Sequence, residues 1–353
     1  MENKIFIPQL NSLRFFAAVA VVIFHFGKWS QPFSNTLNDY ASIMNVAVSF
    51  FFVLSGFIMA TVYEQLKVFS HEEVKKFYIK RALRIVPLYV LALIVTSVGL
   101  VFLGGKFSLL QFVEGLFFLQ AWIPADALSL NFTGWSLSVE MFFYAIFPFI
   151  FPFITSRKHV LRDSLIFWSI SNLIVSFLCF YFNQDVLVVN HFIKYFPLFH
   201  LNQFLIGIIA GIFYLKGVKK SNGLFLFSVL FLVACLPFVS KGLIAIVYHD
   251  GLLAPIFALL IIGAASSEKL IKKILSWPLL VKAGDASYGI YILQVPVYVG
   301  VYKAYMFFNI FNYLGEEGRF YSCLLILILI SYLSSRTFEV WARKKLIDIG
   351  FRA

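Results

Sequence analysis

Charge is what this sequence has least of. Asp, Glu, Lys and Arg make up 13% of its 353 residues, where a soluble domain carries about a quarter. Hydrophobic residues make up 61%, and mean hydropathy is +0.88. The few charges cluster between long apolar runs. Runs of about 18 or more such residues read as membrane spans, which excludes an ordinary soluble domain. Cysteine is also scarce. Cys179, Cys235 and Cys323 each stand alone in an apolar run, giving neither a disulfide framework nor metal-ligand spacing. They read as small packing residues, and no metal is expected. No repeat, low-complexity tract or long polar stretch interrupts the chain. Residues 1–353 therefore read as one integral-membrane domain with no appended soluble domain. The first apolar run, 7–26, lacks a small-residue cleavage site and is followed by further spans. It reads as a retained helix rather than a signal peptide.

What is present is a set of ten expected spans, at about 7–27, 43–63, 85–103, 135–154, 163–182, 198–215, 223–240, 243–264, 284–304 and 320–338. They predict an all-α transmembrane bundle. The segment Leu109–Trp122 is apolar but too short to cross, and reads as interfacial or re-entrant. With the N-terminus in the cytosol, inner segments hold 22 of the 29 lysines and arginines and outer segments six. This asymmetry predicts that both termini are cytosolic. It also accounts for the formal net charge of +12 without a nucleic-acid partner.

Ionisable groups within spans are costly and become candidates for function. Arg14 and His25 lie on the first span, 11 residues apart. At about 100° per residue they share one face, about 16 Å apart along the axis. A simpler alternative has Arg14 snorkelling inward and His25 marking the outer interface. Glu140, in Trp135-Ser136-Leu137-Ser138-Val139-Glu140, falls about a turn and a half below the outer surface. By the same count His25 lies at similar depth, so the carboxylate could orient the imidazole and stabilise its protonated form. Alternatively, Glu140 offsets the positive end of its helix dipole. Ser136 lies on the same face as Glu140 at i, i+4.

Two further patterns stand out. Arg81 and Arg84 project from one helix face before the third span. Their forked guanidiniums suit a multiply phosphorylated ligand, although basic residues beside a span also follow from topology or lipid headgroups. In the ninth span, Ser287, Tyr291 and Gln294 form a polar stripe at i, i+4 and i+7. Such a stripe faces a cavity or bonds between helices.

Together these segments resemble the acyltransferase-3 family of membrane proteins. That family includes O-acetyltransferases of lipopolysaccharide O-antigen, exopolysaccharide, peptidoglycan and Nod factors. The resemblance spans nearly the whole chain. It runs from Asn11-Ser12-Leu13-Arg14 and His25, through Phe51-Phe52-Val53-Leu54-Ser55-Gly56-Phe57, to Arg81 and Arg84 as an RxxR motif. It continues through Trp135–Glu140 with Phe143-Tyr144 and ends at Ser287-Tyr288-Gly289-Ile290-Tyr291. Many relatives carry Asp where this chain has Asn11, and His where it has Gln294. Asn11 keeps a structural hydrogen bond, whereas Gln294 takes no acid–base role.

The resemblance implies an acyltransferase using acyl-CoA, most simply acetyl-CoA, as donor. Arg81 and Arg84 would meet its phosphates. His25 would be the general base, Glu140 its partner, and Arg14 a stabiliser of developing negative charge. Trp135, Ser136, Ser287, Tyr288, Tyr291, Gln294 and Asn11 would supply substrate contacts or structural polar bonds. The acceptor would be a carbohydrate hydroxyl outside the cytoplasm or on a lipid carrier. Implied partners are membrane lipid and polysaccharide-assembly proteins, and the implied location is the bacterial cytoplasmic (inner) membrane. A polysaccharide transporter or lipid-linked glycan flippase is the competing class, although the internal repeat typical of many transporters is not evident.

Overall fold

A computed structural model describes residues 6–66, 68–239, 248–310 and 312–349. Every regular element among those residues is a helix, and none is a strand. The helices are α1 (Pro8–Val22), α2 (Asn38–Ala41), α3 (Ala47–Tyr63), α4 (His71–Phe102), α5 (Leu109–Leu116), α6 (Trp135–Thr155), α7 (Val160–Tyr181) and α8 (Leu187–Tyr195). After these come α9 (Leu201–Leu215), α10 (Gly223–Val239), α11 (Ala254–Ala265), α12 (Lys269–Leu275), α13 (Pro278–Asp285), α14 (Ser287–Phe307), α15 (Glu316–Arg336) and α16 (Phe338–Asp348).

Seven helical stretches are long and apolar enough to cross a membrane, or eight if α11 and α12, bent by 100° at their junction, form one span. The chain is a polytopic membrane protein. The ten expected spans also counted α10, which is shorter, and α14. The 21-residue α14 carries Ser287, Tyr288, Tyr291, Gln294 and Lys303 and falls short of the same apolar threshold. The eighth expected span begins within 243–247, outside the described residues. Lys4, Lys67, Lys241 and Arg352 lie outside them as well.

The Leu109–Trp122 segment forms no span. The eight residues of α5 are followed by Phe118 at φ 58° and a 3-10 turn at Gln120–Trp122.

Helix α3 is apolar all round, as a central helix should be. Of its best span window 78% is buried, against 17% for α7 at the periphery. Leu173, Phe177 and Phe180 of α7 are exposed, which suits a lipid-facing surface.

Helix α9 packs on α3 at backbone contact. A Cβ on Gly207 would lie 2.0 Å from the Val53 carbonyl oxygen, and one on Gly56 would lie 2.1 Å from that of Phe204. Small residues permit this approach, which dispersion and close packing then reward in an apolar solvent.

Helix α4 starts at a capping box. The Ser70 hydroxyl accepts from the Glu73 amide at 3.3 Å, and the Glu73 carboxylate accepts from the Ser70 amide at 2.7 Å. This satisfies two amides that the first turn leaves open. The helix it starts carries Arg81 and Arg84.

Candidate active site

Helices α1, α3, α4, α6 and α14 enclose a cavity of about 90 Å³. That is room for a few water molecules or a slender chain. Its polar wall brings together Arg14, Ser55, Arg81, Arg84, Ser136, Glu140, Tyr144, Ser287, Tyr288 and Tyr291. Residues from five sequence-distant motifs thus meet in one place.

Each wall is fixed by polar bonds. On α1, Asn11 donates to the Asp285 carboxylate at 2.9 Å and Ser12 to the Leu275 carbonyl at 2.6 Å. These bonds set the rotation of α1 beside α13 and present Arg14 to the cavity. The start of α6 is held from two sides. Gln120 donates to the Gly134 carbonyl at 2.8 Å, and Asn131 reaches the Ile292 carbonyl of α14 at 3.0 Å. The Tyr288 hydroxyl donates to the Ile85 carbonyl at 2.7 Å, beside Arg84.

The guanidiniums outnumber the carboxylates in the lining itself. Arg81 is buried and faces the rings of Tyr63, Phe77 and Tyr144 at 5.7–6.0 Å. These aromatic faces stabilise the cation, and its Nε has no hydrogen-bond partner among the described residues. Arg84 is exposed and marks where the cavity meets the surface. Glu140 is the single carboxylate in the lining. It accepts hydrogen bonds from the Tyr144 hydroxyl, one turn along α6, and from Ser55 Oγ at 3.4 Å. Within the lining three guanidiniums face one carboxylate, with Asp285 acting on Arg14 and Glu339 on Arg14 and Arg84 from outside it; guanidiniums arranged this way suit an anionic ligand.

Elsewhere in the lining, Ser136 Oγ and the Tyr291 hydroxyl lie 2.7 Å apart. The Ser287 hydroxyl, fully buried, has no partner among the described residues.

His25 is not in this lining. It sits in a π-helical turn, Ile23–Gly27, that continues α1. Such turns recur at functional sites. Its ring packs against Phe24 and, at 4.6 Å between centroids, against Phe132. Phe132 precedes Ser136 by four residues, so His25 lies about one turn from the Ser136 part of the lining. The expected level pairing with Glu140 is not formed among the described residues. Glu140 is roughly 12 Å further along the chain's helical path than Phe132, counting helical rise, and is bonded to Tyr144 and Ser55 instead.

Three other expected residues also lie off the cavity, Asn11 at its bond to Asp285 among them. Trp135 is buried against the rings of Phe52, Tyr195, His200 and His249. Gln294, fully buried, donates to the Tyr291 carbonyl at 2.7 Å.

Ser55 and Tyr144 went unassigned from sequence. Tyr144 had a signal, standing at i+4 from Glu140. Ser55, inside the most apolar stretch of α3, had its polarity and its place in the family motif Phe51–Phe57.

Comparison with known proteins fixes the family. A model described as an acyltransferase domain matches residues 7–336. The chain belongs to this acyltransferase family. It is 32% identical over 254 residues to the exopolysaccharide production protein ExoZ of Rhizobium meliloti (strain 1021), covering 69% of this chain and 74% of that protein. It is 25% identical over 240 residues to the acyltransferase MdmB of Streptomyces mycarofaciens, covering 62% and 60%. A Staphylococcus aureus (strain COL) protein bearing an O-acetyltransferase name is 25% identical over 332 residues, 85% of this chain and 52% of that protein. The chain thus spans only about half to three fifths of some of these relatives. No solved structure matches it.

Proposed function

We propose that this protein is a membrane O-acyltransferase. It moves an acyl group, most simply acetyl, from cytosolic acyl-CoA to a carbohydrate hydroxyl outside the cytoplasm or on a lipid carrier. The observation that carries this reading is the cavity where Arg14, Arg81 and Arg84 face a single carboxylate. Its opening at Arg84 suits the donor's phosphates, and its narrow dimensions suit the pantetheine arm. The orientation that goes with it has both termini in the cytosol of a bacterial inner membrane.

In this mechanism the thioester passes the Ser136–Tyr291 contact toward His25. The acceptor oxygen attacks the thioester carbonyl carbon as His25 takes its proton. The carbon–sulfur bond breaks, and the thiolate leaves toward the positive charge of Arg14. Glu140 limits the cavity's charge and holds Tyr144 and Ser55 in place. A direct bond from Glu140 to His25 would require the π-helical turn to move. The name of ExoZ, an exopolysaccharide production protein, favours a carbohydrate acceptor, and the O-acetyltransferase name of the staphylococcal relative favours transfer to oxygen.

The test is turnover. Purified protein with labelled acetyl-CoA and an acceptor glycan should release CoA thiol and label the glycan as an ester. Cells with and without the protein should differ in ester-linked acyl groups on surface polysaccharide. Glycan translocation without CoA turnover would instead make the protein a flippase.

A further inference from the structure

Behind the aromatic wall of the cavity lies a second polar cluster that the acyl-transfer reading does not use. We propose that His200, His249 and Asp250 form a buried site for a divalent transition-metal ion of the zinc type. One potential ligand atom from each lies within 4.8 Å of the others. His200 Nε2 is 3.8 Å from Asp250 Oδ1. His200 and Asp250 are fully buried and His249 nearly so. Zinc bonds of about 2.0–2.2 Å place tetrahedral ligand atoms about 3.4 Å apart, so side-chain movements of about 1 Å close the set.

The electrostatics call for a cation. Neither oxygen of Asp250 has a hydrogen-bond partner among the described residues. No described lysine or arginine pairs with it within 4.0 Å, and the Lys194 ammonium acts on it only from further off. The buried Asn202 Oδ1 also lacks a donor. A fully buried carboxylate among acceptors is costly unless a charge compensates it. Two imidazoles and one carboxylate suit zinc or a neighbouring transition metal, not magnesium or calcium, which prefer all-oxygen sets.

Surrounding bonds preorganise the ligands. Asn202 Nδ2 donates to the Asp250 carbonyl at 2.8 Å, Ser49 Oγ to that of His249 at 3.3 Å, and Trp168 Nε1 to that of Gly251 at 2.7 Å. His200 Nδ1 lies 2.9 Å from the Gln203 amide nitrogen, while Nε2 lies 3.0 Å from the Lys194 carbonyl. Exchanging the two isosteric ends of the Gln203 amide lets Oε1 accept from Nδ1–H. Nε2 is then unprotonated and turns from the carbonyl to the metal. A partner on the non-ligating nitrogen is usual for metal-bound histidine.

Such an ion would join the start of α9 to the 3-10 turn at Tyr248–Asp250. It would sit against Trp135 of α6, 5.2 Å from both imidazole centroids, and against Phe52 of α3. Phe52 lines the arginine cavity, so the metal would brace its wall.

Elemental analysis of the purified full chain, isolated without a polyhistidine tag, tests the site. About one zinc per chain is expected, either as isolated or after equilibration with zinc and removal of excess. Chelation should lower the midpoint of thermal unfolding, and zinc should restore it. Asp250→Asn and His249→Gln should each lose most of the bound metal. Should a variant fail to fold, the chelation and restoration of the natural protein still decide. Zinc well below one per chain after equilibration overturns the proposal, as does undiminished zinc in folded Asp250→Asn protein. None of these readouts depends on acyl transfer.

Discussion

Ser136 Oγ and the Tyr291 hydroxyl lie 2.7 Å apart, joining helices whose contributing residues are 155 positions apart in sequence. Both residues line the cavity, and Tyr291 also donates to the Thr133 carbonyl at 3.3 Å. Tyr291→Phe keeps the ring but removes both bonds. A buried hydrogen bond contributes about 1 kcal/mol net, so thermal unfolding in detergent should begin a few degrees lower. Transfer should fall while donor binding persists. A variant as stable as the natural protein would mean the pair contributes nothing to holding α6 on α14.

Donor binding should depend on the RxxR pair. The Arg81→Ala, Arg84→Ala double variant should weaken acyl-CoA binding by at least tenfold, measured by calorimetry on purified protein. Arg81→Lys should recover only part of it, because lysine lacks the planar fork that lies among Tyr63, Phe77 and Tyr144. Unchanged affinity in the double variant would reduce these residues to topology determinants.

Glu140 and His25 should separate in opposite ways. Glu140→Gln removes the one carboxylate facing three guanidiniums. Binding of the polyanionic donor should then tighten a few-fold while transfer drops. His25→Ala should leave binding unchanged and lower transfer by about 10² to 10⁴, the usual scale for a general base. Weaker donor binding in Glu140→Gln would mean that the carboxylate positions the guanidiniums rather than competing with the donor. An active His25→Ala protein would remove the proposed base.

The α3–α9 contact predicts a folding defect. A Cβ at Gly207 would lie 2.0 Å from the Val53 carbonyl oxygen, and neither backbone can yield without parting the helices. Overpacking usually costs about 1–3 kcal/mol, and backbone against backbone should reach the upper end. Gly207→Val should therefore show low yield and early unfolding by size-exclusion and thermal assays. A normally folding variant would show that the helices can separate cheaply.

Orientation is open to labelling in cells. A cysteine introduced beside Lys272 should resist impermeant thiol reagents applied to intact cells and react after lysis. Labelling from outside would reverse the proposed topology.

Much was legible from sequence because the constraints were local. Apolar runs marked the helices, since a bilayer demands internally bonded backbone. The family motifs singled out Arg14, Arg81, Arg84, Ser136, Glu140, Ser287, Tyr288 and Tyr291, all of which line one cavity. Span counting fared less well at α14, where the polar stripe that marks the site also lowers the apolar signal. The supposed equal depth of His25 and Glu140 rested on counting residues from assumed span ends. It could not anticipate that the π-helical turn packs against Phe132, above the start of α6.

The sequence by itself determined the solvent this chain folds in, its helical class and its family, because these depend on composition and short-range pattern. Only the tertiary structure decided which polar groups meet. Glu140 bonds Tyr144 and Ser55 rather than His25 because helix rotation and tilt, set by contacts such as Gly56 and Gly207, fix each side chain's neighbours. His200 and Asp250 are 50 positions apart yet within 3.8 Å, and no local spacing encodes that approach. It follows from how α9 and the turn before α11 pack against Trp135.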